Sequence, residues 1–279
     1  MKFENTDVWG FKHAISGMRN PLESWNKSDT RFDVPCYKHC PVGVTMGEVI
    51  ECQEECGEDP NKCLDCKVSG SDIYPVVIGS EDMALMQKLI KAGSEHRKFM
   101  RQIFVSVDIT APMYWWSEFD TYKVGTVANS TSKMHKLAST PITMDCFEMD
   151  DFKETDIKRI SQCFYDEKIN IHTVFGTDYW KLQIQYLEQL RIRYNETKDK
   201  TYWKELIRVL PESWLQKRTV TMDYENILSM CGKGQRRFHK LNEWSGVDNP
   251  EKENFIKWAR SLPYAKELIF LDETDEGDK

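Results

Sequence analysis

The chain has no apolar run long enough to cross a membrane. Its longest hydrophobic stretches, such as Ile103-Phe104-Val105, meet charge within a few residues, whereas a span needs roughly 20 apolar residues. The opening Met1-Lys2-Phe3-Glu4-Asn5 lacks the apolar centre of an export signal, so a cytoplasmic location is expected. Basic charge is also short: 38 Lys and Arg stand against 45 Asp and Glu, for a net charge of −7. General nucleic-acid binding needs the opposite balance, which leaves room only for a local basic pocket. There is no internal repeat and no low-complexity tract. Aromatics are plentiful instead, with 9 Trp, 11 Tyr and 13 Phe among 279 residues. Side chains this large need buried surface, which excludes a disordered chain. The length suits one large domain or two small ones.

Periodicity predicts the elements. Val8, Phe11 and Ile15 share a helical face, giving a short helix near residues 8–18. Ser80 as N-cap, Glu81 and Asp82 in the first turn, and the stripe Met83, Met86, Leu89 and Ile90 predict a helix over 80–93 closed by Gly93. Ile103, Val105, Val107 and Ile109 alternate with Phe104, Ser106 and Asp108, the pattern of a half-buried strand that Pro112 ends. A Trp- and Tyr-rich helix is expected over 113–123, and helices over 150–165, 177–197 and 201–210, the last stopped by Pro211. Residues 219–224 read as extended or as a helix entry, a final helix lies near 251–261, and the acidic tail 272–279 is expected to fray. Several helices with few strands give an α+β class.

Three constellations carry chemistry. The stretch 34–72 holds six cysteines, Cys36, Cys40, Cys52, Cys56, Cys63 and Cys66, with His39 and little periodic pattern. Close cysteine pairs suit a tetrahedral zinc ion, and a core-poor insert needs such a staple. An iron–sulfur cluster or a set of free thiols are the alternatives. The second constellation is Gly93-Ser94-Glu95-His96, then the strand, then Ala111-Pro112 and the aromatic run into a hydroxyl-rich loop ending at Lys133-Met134-His135. Backbone N–H groups and lysines in such a loop can hold phosphate; an aromatic core helix with a solvated loop is the plainer alternative. The third is Lys233, Arg236, Arg237, His239 and Lys240 beside Gly232 and Gly234, a basic cluster in an acidic protein. It is either an anion site or a solvated basic turn.

Together the last two stretches resemble the flavin-dependent thymidylate synthases, over residues 80–137 and 205–268. The shared order is helix, Gly-x-x-His, alternating strand, Ala-Pro, aromatic helix, phosphate-type loop, then Leu-Pro and a late Arg before Glu-Trp. The family's Arg-His-Arg triplet and its spaced Ser fall, counted from Ala111-Pro112, on Thr121-Tyr122-Lys123 and Thr131. The Gln before the triplet falls on Glu118, the Asn-Glu on Ala128-Asn129, and the later Arg on Lys133. The Trp-Trp-Ser-Glu-Phe-Asp-Thr-Tyr-Lys run at 115–123, Met18-Arg19-Asn20-Pro21, and His-Lys-Leu-x-Glu-Trp at 239–244 are most similar to phage and prophage members.

The resemblance implies a thymidylate-synthase-like α+β fold with an antiparallel-type sheet. It divides the chain into an N-terminal segment 1–33, the Cys-rich insert 34–72, a main domain 73–270 and a tail 271–279. It implies FAD as cofactor, NADPH as reductant, methylenetetrahydrofolate as carbon donor, and a homotetramer in a bacterium or phage-infected host. By carry-over, His96, Tyr122, Lys123, Asp223 and Asn226 face the flavin. Glu118, Asn129, Thr131, Lys133, Arg236 and Arg237 hold the pyrimidine nucleotide. Thr and Lys cannot reproduce a bidentate arginine clamp. Two functions are therefore implied: one-carbon transfer to dUMP or a related phage DNA precursor, or a catalytically decayed nucleotide-binding or regulatory protein. A base-hydroxymethylating variant is a third.

Overall fold

The computed structural model describes residues 1–32, 76–149, 159–165, 168–174, 176–232 and 234–274. The Cys-rich insert, with its six candidate ligands, and Lys233 lie outside these residues. In chain order the elements are β1 (Lys2–Trp9), α1 (Phe11–Arg19), α2 (Ser80–Lys91), β2 (Phe104–Pro112), α3 (Met113–Phe119), β3 (Val127–Ser130), α4 (Lys133–Lys136), β4 (Arg159–Tyr165), β5 (Lys168–Val174), α5 (Gly176–Thr197), α6 (Lys200–Arg208), β6 (Leu215–Asp223), α7 (Tyr224–Cys231), α8 (Asn242–Ser245), α9 (Phe255–Arg260), α10 (Ala265–Leu268) and α11 (Leu271–Thr274). The class is α+β. The chain forms two compact units, one from Met1–Ile109, Glu118–Asn129 and Arg218–Lys279, the other from Thr110–Ser117 and Ser130–Lys217.

The first unit is built on a four-stranded sheet in the order β1-β2-β6-β3. Its strands run antiparallel. Asn5 bonds Asp108 while Trp9 stacks on Phe104, and Thr219 bonds Asp108 while Thr221 bonds Ser106. The expected alternation in β2 holds: Ile103, Val105, Val107 and Ile109 are all fully buried. A nine-residue strand with one apolar face this dry sets the register, because a one-residue slip would turn the whole set to the other side.

Burial of α1 follows from Phe11, Ala14, Ile15 and Met18, all on one face. The sequence reading began this helix at residue 8, but residues 2–9 form β1. Gly10 separates the two elements at φ 101°. A Cβ there would run into the carbonyl oxygen of Gln102, so only glycine fits both the backbone and the space. Helix α2 starts at Ser80 as expected, but its cap is not Ser80. Gly79 is the N-cap residue. The Asp29 carboxylate accepts from the backbone N–H groups of Glu81 and Asp82, at 2.9 and 3.0 Å. This long-range cap has no local sequence signature, and acidic charge at a helix N-terminus is favourable.

The second unit buries Leu137, Ile142, Phe147, Leu187, Leu190 and Leu206 together, with Trp180 and Trp214 packed against them. Its α3 segment carries Trp115 and Trp116, both fully buried, and the Trp116 indole donates to the Gln216 carbonyl at 2.9 Å. Here the expected helix over 150–165 is corrected for residues 159–165; residues 150–158 lie outside the described residues. Residues 159–165 form β4, paired antiparallel with β5 from Arg159↔Val174 to Tyr165↔Lys168. Ile169, Ile171, Thr173 and Val174 make the partner strand rich in β-branched residues. Pairing with it overrides the weak helical pattern of 159–165.

The start of the acidic tail is also corrected, while residues 275–279 lie outside the described residues. Residues 271–274 are helical, and Asp272 and Glu273 are tied by ion pairs to Arg237 and Arg260.

Candidate functional site

The late basic segment and the loop after α3 come together within the first unit. Phe119 ends α3, and Asp120–Tyr122 make one 3-10 turn. Lys123 to Thr126 then close a tight turn, with the Thr126 N–H on the Lys123 carbonyl at 3.0 Å. Gly125 sits third in this turn at φ 83°, the position at which a type II turn demands a left-handed residue. The turn is held from outside. The Asn226 side-chain amide donates to the Val124 carbonyl at 2.8 Å.

Asn226 has a second task. It forms a reciprocal capping box with Asp223 at the start of α7. The Asp223 carboxylate accepts the Asn226 N–H at 2.8 Å, and Asn226 Oδ1 accepts the Asp223 N–H at 3.1 Å. Burial raises the Asp223 carboxyl above its ordinary value; the capping N–H of Asn226 opposes that and loses. The Asp223 carboxyl stands beside the turn: a Cβ added at Gly125 would lie 3.7 Å from its Oδ2.

Arg236 reaches the other side of the same segment. Its Nη2 pairs with Glu118 Oε2 at 2.6 Å. Its guanidinium lies 5.3 Å from the ring centres of both Tyr122 and Trp244, a double cation–π arrangement. The Tyr122 hydroxyl lies 3.0 Å from Gln235 Oε1 and donates to it. Arg236 Nε is buried and has no hydrogen-bond partner. An orphaned charged donor of this kind costs free energy until an acceptor reaches it. Nearby His239 is held below its ordinary value by burial and by the Arg236 charge, and its Nδ1 accepts the Leu241 N–H at 3.2 Å.

Trp244 is fixed from behind. A run of ring contacts passes from Phe119 to Trp244, Phe255, Trp258 and Phe3, with centroid distances of 6.5, 5.0, 5.3 and 5.1 Å. The site's aromatic wall is thus continuous with the core.

The sequence-expected residues divide into groups. Glu118, Tyr122, Lys123, Asp223, Asn226 and Arg236 gather on the 118–126 segment and the elements packed on it. His96 is exposed in the turn that follows α2, its N–H on the Gly93 carbonyl at 3.0 Å. Its neighbour Arg97 grips Glu225 of α7 through Nε at 2.9 and 3.0 Å, so this turn is tied to the helix that begins at the capping box. Asn129 lies in β3, all of whose residues are exposed. Thr131 and Lys133 belong to the second unit. The Thr131 N–H bonds the Lys217 carbonyl at 2.9 Å, and Lys133 opens α4.

Arg237 points elsewhere. It is 5% exposed and clamps Asp272 with Nη1 and Nη2 at 2.9 and 2.8 Å. Its Nε donates to the Cys231 carbonyl at 2.9 Å. The twin arginines thus have different work, since Arg237 locks the C-terminal helix and Arg236 faces the turn. Gln235 and Gly125 were not singled out by the sequence, and Trp244 entered only as the end of the 239–244 run, without a role. No cluster that could hold a metal ion occurs among the described residues, and none of the described helices is long and apolar enough to cross a membrane.

No protein-family model and no curated protein matches the chain. Solved structures do. Flavin-dependent thymidylate synthase ThyX from Helicobacter pylori, complexed with FAD and dUMP, aligns at TM-score 0.54 and 12% identity, covering 98% of this chain and 99% of that one. A second structure of the Helicobacter pylori enzyme with FAD and dUMP aligns at TM-score 0.53 and 12% identity, covering 95% of each chain. The likeness is one of fold, and it extends over essentially the full length of both chains.

Proposed function

We propose that this protein is a flavin-dependent one-carbon transferase of thymidylate synthase type, acting on a pyrimidine nucleotide, dUMP or a related phage DNA precursor. One observation carries the reading. On a fold that matches ThyX end to end, the segment in frame with the family's signature meets a late arginine, Arg236, whose buried Nε has no acceptor. Such a donor set fits an anionic or carbonyl oxygen of a bound nucleotide. When bound, FAD supplies hydride chemistry and methylenetetrahydrofolate the carbon, with NADPH as the reductant; the protein's part is positioning and electrostatics.

The chain's own residues divide that work. Arg236 and Asn129 orient and polarise the pyrimidine nucleotide, while Glu118 holds Arg236 in the free protein. His96, Tyr122, Lys123 and the Asp223–Asn226 box line the flavin side. Asn226 keeps the Lys123–Thr126 turn in place through the Val124 carbonyl. Burial raises the Asp223 carboxyl at the head of that box. A homotetramer and the zinc-stapled cysteine module remain part of the proposal, tested by sizing and by metal analysis with chelator challenge.

A second reading has its own support. Lys123 stands where an arginine would clamp, and Arg236 is itself tied to Glu118. That favours a nucleotide-binding protein without turnover. Anaerobic assay of tritium release from 5-tritiated dUMP, with FAD, methylenetetrahydrofolate and NADPH, separates the two. Release that Arg236→Gln abolishes supports the enzyme. Tight FAD and dUMP binding without release supports the silent binder.

A further inference from the structure

We infer that Glu118 is an internal anion that occupies Arg236 and must be displaced before a phosphate-bearing ligand can bind, so that this one carboxylate sets the site's affinity for anions. The inference deepens the nucleotide reading above and rests on it for the identity of the natural ligand.

Four observations lead there. The Glu118 carboxylate lies 2.6 Å from Arg236 Nη2, the short contact of a charge-assisted bond. The two partners are unequally placed: Arg236 is 15% exposed and Glu118 is 41% exposed. Glu118 is therefore the mobile member, with solvent to receive it. The guanidinium is not mobile, because Tyr122 and Trp244 hold it between their rings, and Trp244 is fully buried. Finally, the pair leaves Arg236 Nε buried without an acceptor. A single carboxylate oxygen serves one edge of the cation, whereas a phosphate or a carboxylate in fork geometry serves two donors at once. The guanidinium is thus preorganised for an oxyanion better than the one it holds.

An exchange of this kind costs the ligand the free energy of the existing pair, so removing the carboxylate raises apparent affinity by mass action. A neutral amide of the same shape keeps the packing and the fold. The nearby Asp120 gives the control for simple charge. It lies on the same segment but pairs with Arg218 at 2.9 Å, so neutralising it leaves Arg236 as it was.

The experiment is calorimetric titration of the full chain with dUMP, deoxyuridine and inorganic phosphate. Glu118→Gln should bind both dUMP and phosphate at least about tenfold tighter than the parent, with deoxyuridine unchanged. Asp120→Asn should show no such gain, and Glu118→Gln combined with Arg236→Gln should lose it. Equal anion affinity in parent and Glu118→Gln overturns the inference, whether or not the protein binds nucleotide. A gain that survives loss of Arg236, or that Asp120→Asn reproduces, overturns it too, since net charge alone would then explain it. Failure of the nucleotide reading looks different: phosphate gains with Glu118→Gln while dUMP binds no better than phosphate.

Discussion

Asp82 keeps its charge at zero exposure because four donors surround it. Arg19 Nε at 2.6 Å, Ser28 Oγ at 2.6 Å, and the Thr30 N–H and hydroxyl at 3.1 and 2.6 Å all point at this carboxylate. Burial pushes its pKa up, but the hydrogen bonds from Ser28, Thr30 and Arg19 together outweigh burial and leave it lowered. Asp82→Asn strands the Arg19 cation in the interior and should cost about 3–5 kcal/mol, read by urea denaturation. A loss below about 1 kcal/mol would mean that water reaches the pair. Cys231 makes a second residue-scale case. It is fully buried and its thiol is pushed far up by burial, so alkylation mapped by mass spectrometry should leave it unmodified until the protein unfolds. Neither residue's role was legible in the sequence. Asp82 read as a first-turn helix acid, which it is, but its partners are 52 to 63 residues away.

At the scale of elements, local pattern succeeded where one face of one segment decides the structure. The strand over Ile103–Ile109 and the helices α2 and α5 were readable because their apolar periodicity is their own. Pattern failed where a distant partner decides: β4 needs β5, the cap of α2 needs Asp29, and α11 needs Arg237 and Arg260. The site shows the same split. Tyr122, Lys123 and Glu118 could be found by counting from Ala111-Pro112, but which of the twin arginines would meet them could not. That choice rests on Trp244, whose ring backs Arg236 and not Arg237. Trp244→Ala should therefore act twice. It should destabilise the fold by about 3–5 kcal/mol through the lost core volume, and in whatever fraction stays folded it should weaken dUMP binding. Asn226→Ala gives the complementary element test. Loss of its capping role should cost about 1 kcal/mol, and release of the Val124 carbonyl should lower FAD affinity by more than so small a stability loss explains. Unchanged FAD affinity in folded Asn226→Ala would remove the turn from the flavin side.

For the molecule as a whole, the carboxylates paired with arginine share one direction. Glu188 is lowered by its Arg191 hydrogen bonds, Glu273 by those of Arg260, and Asp82 as described. Each adds stability that is complete above its unfolded value and is lost as pH falls through its folded value. His239, held below 6.5 by burial and Arg236, takes up a proton more readily when unfolded, so stability begins to fall as pH drops below about 6.5. Asp223, raised by burial, opposes the trend. The urea midpoint should thus be flat near neutrality, decline below pH 6.5 and fall steeply under the ordinary glutamate value of 4.5. A midpoint constant down to that value would contradict this balance of charges.

The most direct test of the whole account is spectroscopic titration of the purified protein with FAD, followed by dUMP. The account predicts stoichiometric FAD binding at micromolar concentration, a shift of the flavin absorbance when dUMP is added, and loss of that second shift in Arg236→Gln. A folded protein that takes up no FAD, or whose flavin spectrum ignores dUMP, would contradict it.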